Sequence, residues 1–553
     1  MSARPAAPQA APTELAPARA AAAMRVLPAG RSTVLVELED LPQTLGLLAS
    51  LQERPIPGVV EIVPGARTLL IDFDPLRTDR AALAAELATR PLALRQSEAG
   101  ARVELPVYYD GEDLAEVAEL LQITTQEVVR RHTGTDWFVA FSGFAPGFAY
   151  LTGGDELLHR VPRRTSPRTR IPPGAVAVAG GFSGVYPKAS PGGWQILGQT
   201  PVAMWDLDRD PPALLQPGQR VRFVDAGARP ALAPAATAPA AEAATPQVHG
   251  PALAIRRPGL HALLQDMGRP GQAGQGVSMS GAMVRSALRA ANRLVGNPAD
   301  CACIEVAQGG FELQSLGDTV VAVTGAAGAL TLTAPDGRSW PVPRHAPVAL
   351  GDGDRLHVGE PEAGVRSYIA LRGGIDRAPV MGSLAFDTLA QVGPAPLAAG
   401  DVLPVRAARG LCAVGEPDAP PAELPRPGDL VALDVLLGPR TDWFTPEAVA
   451  LLGAQEWTVT PQSNRVGLRV QGAEPLTRAV TRELPSEGTA LGAIQVPANG
   501  QPVLFLADHP LTGGYPVIGC IAPWHLDLAG QIPVGARIRF QVVAGFEPID
   551  LSR

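Results

Sequence analysis

The stretches SPGGWQILGQTP (residues 190–201) and LTGGYPVIGCIAP (residues 511–523) share one pattern, which predicts a repeated β-structure. In each, a glycine pair and an aromatic residue lead into a short apolar strand that contains a glycine and stops near a proline. A closing strand follows each stretch, GQRVRFVD at 218–225 and GARIRFQVV at 535–543. Since self-similarity of this kind indicates one structural unit used twice, the sequence predicts two barrels of one kind, one in each half.

The composition of the 553 residues also indicates a β-rich protein. The chain has 59 glycines and 57 prolines, which together exceed the average usage of about 12%. With many Val, Leu and Ile residues, this excess is typical of short strands joined by tight turns. Hydrophobic residues make up 46% and charged residues 18% of the chain, so it can bury sizeable cores.

Charge and cysteine usage exclude several classes of partner. The net charge is −8 and no basic stripe is present, so nucleic acid is not an expected partner. No apolar run reaches the ~20 residues that span a bilayer, and no secretory signal is legible, so no membrane partner is expected. The cysteines and the 8 histidines show no metal-ligand spacing, and a cytoplasmic setting is expected. A homo-oligomer is left open.

Two Ala/Pro-rich tracts divide the chain, because such tracts cannot bury a core and stay extended. The first half begins with the pattern of a small open-faced sheet covered by two helices and continues with barrel-like strands. The second half is nearly all β in texture. The predicted units are a disordered tail (1–23), an α+β module (24–100), a barrel (101–225), a linker (226–252) and two further barrels (253–425 and 426–547).

Two helices have predicted ends. The helix in DRAALAAELATR should begin with Asp79 as its N-cap. The helix in SGAMVRSALRAANRLVGN should begin with Ser280 as its cap and end at Gly296 and Asn297.

Lys188 is the single lysine of the chain, against 45 arginines. A lysine is a compact charge on a flexible stem, so Lys188 either fills a role that arginine cannot fill or is a stray surface lysine. Four arginines crowd into residues 163–170. Because the net charge is negative, a carboxylate or phosphate clamp that includes Arg163 and Arg168 is favoured over a solvated basic loop.

Other polar residues suit proton transfer or ligand contact. His132 is a candidate general base, with a structural histidine as the equal alternative. Asp508 and His509 precede a glycine pair and suit proton transfer, although Asp508 could instead cap the turn. The GFAPGF stretch (143–148) is either a rigid turn or a source of backbone N–H groups for an oxyanion or phosphate. Asn464 is assigned to a ligand or site-framing contact.

Long motifs in both halves resemble known families. FSGFAPGFAYL (141–151) and PRRTSPRTRIPPGAVAVAGGFSGVYPKASPGGW (162–194) resemble the B subunit family of bacterial 5-oxoprolinase, also described as allophanate hydrolase subunit 1 and as a sporulation kinase inhibitor. The stretch from 264 to 306, SNRVGLRVQG (463–472) and ADHPLTGGYPVIG (507–519) resemble the C subunit of the same enzyme. Together the halves are similar to the carboxyltransferase region of urea amidolyase.

The resemblance implies a mainly β fold with α+β character, in which a ferredoxin-like module is followed by cyclophilin-like β-barrels. It also implies a cleft shared by the two halves. The implied activity is that of a fused B–C component of an ATP-dependent 5-oxoprolinase. With ATP, Mg²⁺ and a separate A subunit, it would open 5-oxo-L-proline to L-glutamate. No G-x-x-x-x-G-K-[ST] loop is present, so a standard P-loop is excluded.

Two other functions stay open at this point. The first is a carboxyltransferase that moves CO₂ from carboxybiotin to a urea-like or amide acceptor. The second is a non-catalytic inhibitor of a histidine kinase. For an enzyme, the predicted catalytic residues are Lys188, His132 and Asp508. The predicted substrate-binding residues are Arg163, Arg168, Ser190, Trp194, Arg269, Ser280, Asn464, Gln495, Thr512 and Tyr515.

Overall fold

The computed structural model describes residues 24–93, 102–164, 166, 168–229 and 250–550. The tail predicted over 1–23 and most of the linker predicted over 226–252 lie outside the described residues. Strands far outnumber helices in the described part, which confirms the mainly β prediction. None of the helices in these ranges has the length and apolar character needed to cross a membrane.

The N-terminal module (24–93) is a four-stranded antiparallel sheet with two helices. Its strands lie in the order β1-β2-β4-β3, and reading the elements from β2 with β1 placed last restores the βαββαβ order of the ferredoxin-like motif. Asp79 caps the second helix by accepting a hydrogen bond from Ala82 N at 2.8 Å, as predicted. The elements are β1 Arg25–Pro28, β2 Thr33–Glu37, α1 Leu41–Glu53, β3 Val59–Pro64, β4 Thr68–Phe73 and α2 Arg80–Ala88.

The first barrel (102–229) is a seven-stranded sheet in the order β12-β9-β10-β7-β6-β13-β5. A β-bridge between Tyr108 and Gln199 links its two ends. Strands β8 and β11 form a separate pair. The elements are β5 Arg102–Val107, α3 Leu114–Leu121, α4 Thr125–Gly134, β6 Trp137–Ser142, β7 Ala149–Gly153, β8 Arg168–Ile171, β9 Ala175–Ala179, β10 Phe182–Val185, β11 Ser190–Gly192, β12 Gln195–Gln199 and β13 Arg220–Asp225.

The nine-stranded region (250–426) begins the second half. Its long strands β18 and β21 pair with each other, and β18 also pairs with β19 and β20, so the sheet branches. The elements are β14 Ala252–Pro258, β15 His261–Gln265, α5 Arg285–Leu294, β16 Cys303–Ala307, β17 Phe311–Leu316, β18 Thr319–Thr333, β19 Ser339–Pro341, β20 Pro347–Leu350, β21 Arg355–Leu371 and β22 Val402–Pro404.

Helix α5 ends as predicted but does not begin as predicted. Gly296 has a φ of +75°, which suits a helix terminator. The prediction that Ser280 caps the helix is wrong, because the helix starts at Arg285. Its first amides donate instead to the carboxylate of Asp527, from Arg285 N at 2.8 Å and from Ser286 N at 2.9 Å. A cap so distant in sequence leaves no local signal.

The closed barrel (427–550) ends the chain, in the order β23-β30-β27-β28-β25-β24-β31. Strands β26 and β29 form a short pair beside it. The elements are β23 Leu430–Leu437, α6 Pro446–Ala454, β24 Trp457–Val459, β25 Gly467–Gln471, β26 Glu487–Gly488, β27 Ala493–Gln495, β28 Val503–Phe505, β29 Thr512–Gly513, β30 Val517–Ile521, α7 Leu526–Ala529 and β31 Arg537–Ala544.

The first barrel and the closed barrel repeat one helix–tryptophan unit. Trp137 Nε1 donates to His132 O at 3.1 Å, and Trp457 Nε1 donates to Leu452 O at 2.9 Å. In each barrel the opening strand pairs in parallel with the closing strand, β5 with β13 and β23 with β31. The repeat predicted from the sequence is therefore confirmed in the structure.

The two halves pack against each other through polar contacts as well as apolar ones. The carboxylate of Glu61 in the N-terminal module accepts a hydrogen bond from Gly271 N at 2.6 Å. In the GFAPGF turn (143–148), Phe144 N donates to Thr512 Oγ1 at 3.0 Å. This use of the turn favours the rigid-turn interpretation, because the amide of Phe144 is already satisfied by the second half.

Candidate active site at the contact of the two halves

A cavity of about 310 Å³ lies where the N-terminal module meets the second half. Strands β2, β3 and β4 supply one wall, and the segments before α5 and around β29 and β30 supply the other. The polar side chains that line it include Thr33, Glu61, Asp72, Ser280, Arg285 and His509. A concave site with a few convergent polar groups is the usual setting of a small-molecule site.

His509 has one ring nitrogen satisfied and the other open. Its Nδ1 lies 3.0 Å from Pro510 O, and since a carbonyl only accepts, Nδ1 carries the proton in that contact. Burial lowers the pKa of His509, so the ring is neutral near pH 7. The Nε2 atom makes no hydrogen bond to the described residues and can therefore accept a proton from a bound molecule.

Asp508 lies directly behind this wall and is fully buried. Burial raises its pKa, but the charge and hydrogen bonds of Arg465 outweigh that effect, so the pKa of Asp508 is lowered and the group is a carboxylate. Arg465 Nε donates to Oδ2 at 2.9 Å, and Thr388 Oγ1 donates to the same oxygen at 2.7 Å. Since every donor comes from the protein, this geometry fits a structural carboxylate that positions its neighbours.

Ser280 connects Asp508 to the cavity. Its Oγ donates to Asp508 Oδ1 at 2.6 Å, and its backbone has a φ of +55°. A non-glycine residue in this region of φ costs of order 1 kcal/mol or more, so the surrounding contacts must hold it there. Of the residues that the sequence singles out, Ser280 and His509 line the described cavity.

Glu61 provides a carboxyl group on the opposite wall. Burial raises its pKa to about 7, although hydrogen bonds from the amides of Gly271 and Ala273 act in the other direction. A carboxyl that titrates near neutral pH can both take up and release a proton under cellular conditions. Because its hydrogen bonds cross to the second half, its protonation state is also linked to the contact between the halves.

Asp72 and Cys520 complete the titratable groups of the cavity. Burial raises the pKa of Asp72, against the lowering effects of the Thr33 hydroxyl and the Arg285 charge. Burial also raises the pKa of Cys520 to about 12, which leaves a thiol rather than a reactive thiolate. The acid–base chemistry of the cavity therefore lies with His509, Glu61 and Asp72.

Three predicted site residues lie at the contact of the halves but outside the cavity lining. Lys188 reaches from the first barrel and donates from Nζ to Leu389 O in the second half. Arg163 Nη2 donates to Ser486 Oγ at 3.1 Å. Thr512 holds the GFAPGF turn. The prediction that Lys188 contacts a substrate anion stays untested, but its ammonium already has a carbonyl partner.

The predicted arginine clamp closes on a carboxylate of the protein itself. Arg168 donates from both terminal nitrogens to Asp113, with distances of 2.8 Å and 2.7 Å. Arg164 Nη1 donates to the same carboxylate at 2.7 Å. The bidentate geometry matches the prediction, but Asp113 of the protein itself, and not a substrate, is the carboxylate that is bound.

His132 lies in the core of the first barrel with 0% of its surface exposed. Its Nδ1 lies 2.7 Å from Tyr109 Oη, and its Nε2 lies 2.9 Å from Ser183 Oγ. Burial lowers the pKa of His132 to about 3, so the ring stays neutral. With both nitrogens occupied away from the cavity, its geometry matches the structural alternative and not the general base.

Asn464 also has a structural environment. It is exposed, and its Oδ1 accepts from Val466 N at 2.9 Å, as a turn residue does. The site-framing residue is its neighbour Arg465, which is buried among carboxylates. The motif is identified correctly, but the side chain that points inward is one position further along.

The remaining predicted residues lie in separate surroundings. Ser190 Oγ donates to Lys188 O at 3.1 Å, within its own turn. Trp194 is buried among aromatic rings, with Tyr150 at 5.6 Å between ring centroids. Gln495 Nε2 donates to Tyr515 O at 3.2 Å. The ring of Tyr515 lies 5.6 Å from the Arg478 guanidinium. Arg269 is buried and donates to Ala385 O.

Sequence reasoning missed Glu61, Asp72 and Arg285. Glu61 and Asp72 are the single charged residues of β3 and β4, and the strand register places them opposite each other, as a solvent face would allow. That face is covered by the second half, and no local pattern announces such a contact. Arg285 lies in the motif SGAMVRSALRAANRLVGN, but its position does not differ from that of any other polar residue on an amphipathic helix.

Comparisons with known proteins match both halves. The family model described as "Carboxyltransferase domain, subdomain C and D" matches residues 24–215, and the model described as "Carboxyltransferase domain, subdomain A and B" matches residues 275–542. The C subunit of 5-oxoprolinase from Escherichia coli (strain K12) is 36% identical over 294 residues, which cover 52% of this chain and 90% of that protein. The B subunit of 5-oxoprolinase from Escherichia coli O157:H7 is 38% identical over 207 residues, which cover 35% of this chain and 93% of that protein.

One kind of solved structure spans both halves together. The crystal structure of TTHA0988 matches with a TM-score of 0.78 and 35% identity, and the match covers 92% of this chain and 99% of that one. Urea amidolyase of Saccharomyces cerevisiae is 32% identical over 310 residues, which cover 52% of this chain but 16% of that protein. The chain therefore belongs to the carboxyltransferase-domain family, as a fused member whose halves are homologous to the B and C subunits of 5-oxoprolinase.

Proposed function

We propose that this protein is the fused B–C component of an ATP-dependent 5-oxoprolinase, which opens 5-oxo-L-proline to L-glutamate together with a separate A subunit. The observation that supports this most directly is the shared cavity. The half related to the B subunit supplies one of its walls, and the half related to the C subunit supplies the other. Covalent linkage keeps the two walls at a high effective concentration, so the site does not depend on association of separate chains.

The cavity has the groups that lactam opening needs. Amide resonance makes the ring resistant to attack, so a proton acceptor for the attacking water and a proton source for the departing nitrogen both help. The neutral His509 ring offers Nε2 as the acceptor. Glu61, with a pKa near 7, and Asp72, with its raised pKa, are candidates for the proton source.

ATP would supply the phosphoryl group that activates the amide. At about 310 Å³ the cavity lies at the small end of the range of ligand pockets, which suits 5-oxo-L-proline better than a nucleotide with its metal ion. Within the described ranges, no three His, Cys, Asp or Glu side chains are arranged to hold a metal ion. We therefore assign the nucleotide to the A subunit in this proposal.

The test is a reconstitution. The purified chain is mixed with 5-oxo-L-proline, ATP and a candidate A subunit, and the release of L-glutamate and of ADP is measured together. Coupled release that requires both proteins is the expected result. Release by the A subunit on its own, or none from the mixture, contradicts the proposal.

A second function is carried by the family match itself. Both family models describe a carboxyltransferase domain, so transfer of CO₂ from carboxybiotin to an amide acceptor is the alternative. Its test uses ¹⁴C-labelled carboxybiotin and urea as the acceptor, with the same protein preparation. Labelled product without any release of glutamate would favour this alternative over the first.

A further inference from the structure

Arg285 is a cation of the cavity wall that forms no close ion pair with the residues that the structure describes. Its Nη2 lies 3.5 Å from Met279 Sδ, and it forms no ion pair with any described residue. Burial lowers its pKa and the nearby charge of Arg289 acts in the same direction, whereas the charges of Asp527 and Asp72 partly oppose them. Arg285 is partly buried, so its guanidinium is positioned by the wall and is available to a ligand in the cavity.

Arg465, which lies in the same half, shows how this fold normally satisfies a buried arginine. It is paired with Asp508 at 2.9 Å and also with Glu305, and its side chain is 4% exposed. Arg285 has no such pair, although Asp527 lies close by. The two oxygens of Asp527 accept from the first two amides of α5, and its charge acts on Arg285 without forming an ion pair with it.

A second polar group of the cavity is also incompletely satisfied. Asp72 Oδ1 accepts a hydrogen bond from Thr33 Oγ1 at 2.5 Å, whereas its Oδ2 receives none from the residues that the structure describes. Burial raises the pKa of Asp72, which favours the protonated carboxyl, and in that form the group can donate a hydrogen bond. A protonated acid beside an unpaired guanidinium can bind two different groups of one ligand.

The rim of the cavity adds positive charge. Arg31 is exposed there, and its guanidinium lies 5.7 Å from the ring centroid of Trp524. The guanidinium of Arg80 donates a hydrogen bond to the backbone oxygen of Gly30, which also lines the cavity. The rest of the lining is largely apolar, with Leu491 and Leu511 among its members. A small, partly apolar space with a cationic rim favours a compact anion over a large polyanion.

We propose that this cavity binds a small molecule carrying one carboxylate and one amide or lactam carbonyl. Arg285 pairs with the carboxylate, and Asp72 donates a hydrogen bond to the carbonyl oxygen. The choice of ligand rests on the proposed function, since 5-oxo-L-proline carries both groups. Arginine is well suited to the first task because its planar fork matches a carboxylate with two parallel hydrogen bonds.

The experiment is a calorimetric titration of the full chain with 5-oxo-L-proline and with 2-pyrrolidinone, which has the lactam but not the carboxylate. We expect 2-pyrrolidinone to bind at least tenfold more weakly, a loss of about 1.4 kcal/mol or more, because it lacks the charge-assisted hydrogen bonds of the carboxylate. Arg285→Gln should weaken binding of 5-oxo-L-proline by a similar factor. Arg289→Gln removes the same charge from the exposed face of the same helix and should leave affinity unchanged.

Three results would overturn the inference: no binding of 5-oxo-L-proline by the full chain, equal affinity for the two ligands, or wild-type affinity in Arg285→Gln. If Arg285→Gln does not fold, Arg285→Lys decides, because it keeps the charge but loses the fork. Its affinity should then fall about threefold to tenfold, and wild-type affinity contradicts the bidentate pairing.

Glutamate release in the presence of the A subunit separates this inference from the proposed function. If Arg285→Gln binds 5-oxo-L-proline with wild-type affinity and still turns over, the carboxylate site is rejected and the proposed function stands. If binding depends on Arg285 but no turnover is detected with the A subunit, the proposed function is rejected and the carboxylate site stands.

Discussion

The first barrel and the closed barrel are built alike but use one equivalent position differently. In each, a buried tryptophan donates from its indole to the carbonyl five residues earlier, at His132 in the first barrel and at Leu452 in the closed barrel. Both residues at that position are 0% exposed. A leucine there can only pack, so the comparison indicates that the position serves the core.

The contrast with His509 shows what separates the two histidines. His132 has hydrogen-bond partners on both ring nitrogens inside one barrel. His509 has a protein partner on Nδ1, and its ring lines the cavity between the halves. Burial lowers the pKa of both rings, so the open nitrogen and not the titration behaviour distinguishes a site residue from a core residue.

The largest expected effect follows from that difference. His509→Asn keeps a side-chain N–H near Pro510 O and removes the acceptor nitrogen. Loss of a general base lowers rates by about 10²–10⁴, so we expect kcat with the A subunit to fall by that factor. Steady-state kinetics measure the change, and the melting temperature checks the fold. A variant with wild-type kcat would place proton transfer elsewhere.

The pH dependence of folding stability tests the role of Glu61 at the contact between the halves. Because its pKa is raised from 4.5 to about 7 in the folded protein, folding binds a proton and stability falls as pH rises between these values. The slope is at most about 1.4 kcal/mol per pH unit for this single group. Glu61→Gln cannot titrate, so the stability difference between wild type and variant should shift in favour of the variant from pH 4.5 to pH 7.

The measurement is thermal unfolding across that range, with Glu119→Gln as a control on an exposed helical position. The control should follow the wild-type curve at every pH. If Glu61→Gln also runs parallel to the wild type, the carboxyl does not titrate in this window and its assignment as a proton source is lost.

His132→Leu places in the first barrel the residue type that the closed barrel has at the equivalent position, Leu452. It removes the partner of Tyr109 Oη, and a buried hydroxyl without a partner costs about 1–3 kcal/mol. We expect a lower melting temperature with kcat unchanged. Adding Tyr109→Phe should recover part of the loss, since removing both partners of a hydrogen bond is nearly neutral. A tenfold fall in kcat at normal stability would return His132 to catalysis.

Local pattern explains which parts of the molecule can be foreseen. Asp79 is predictable as a cap because a cap depends on residues three positions away, and the repeated barrels are visible because their turns need glycine and proline. The cavity cannot be foreseen, because its walls come from strands and loops more than 200 residues apart. Motifs therefore locate Asp508, His509 and Ser280. Contact between the halves gives Glu61, Asp72 and Arg285 their roles.

Substitution of Lys188 should have the smallest effect, and it tests whether a residue that stands out in the sequence belongs to the site. The sequence suggests a catalytic role because the residue is the only lysine, but its ammonium donates to Leu389 O across the contact of the halves. Arginine can make the same contact with a larger head, so Lys188→Arg should cost under about 1 kcal/mol and change kcat/KM less than threefold. Lys188→Met, which removes the donor, should cost about 1 kcal/mol more. Since Lys188 does not line the cavity, neither change should alter affinity for 5-oxo-L-proline. A tenfold or larger loss of kcat/KM in Lys188→Arg, at an unchanged melting temperature, would mean that this lysine reaches the reacting groups and that the site extends from the cavity into the first barrel.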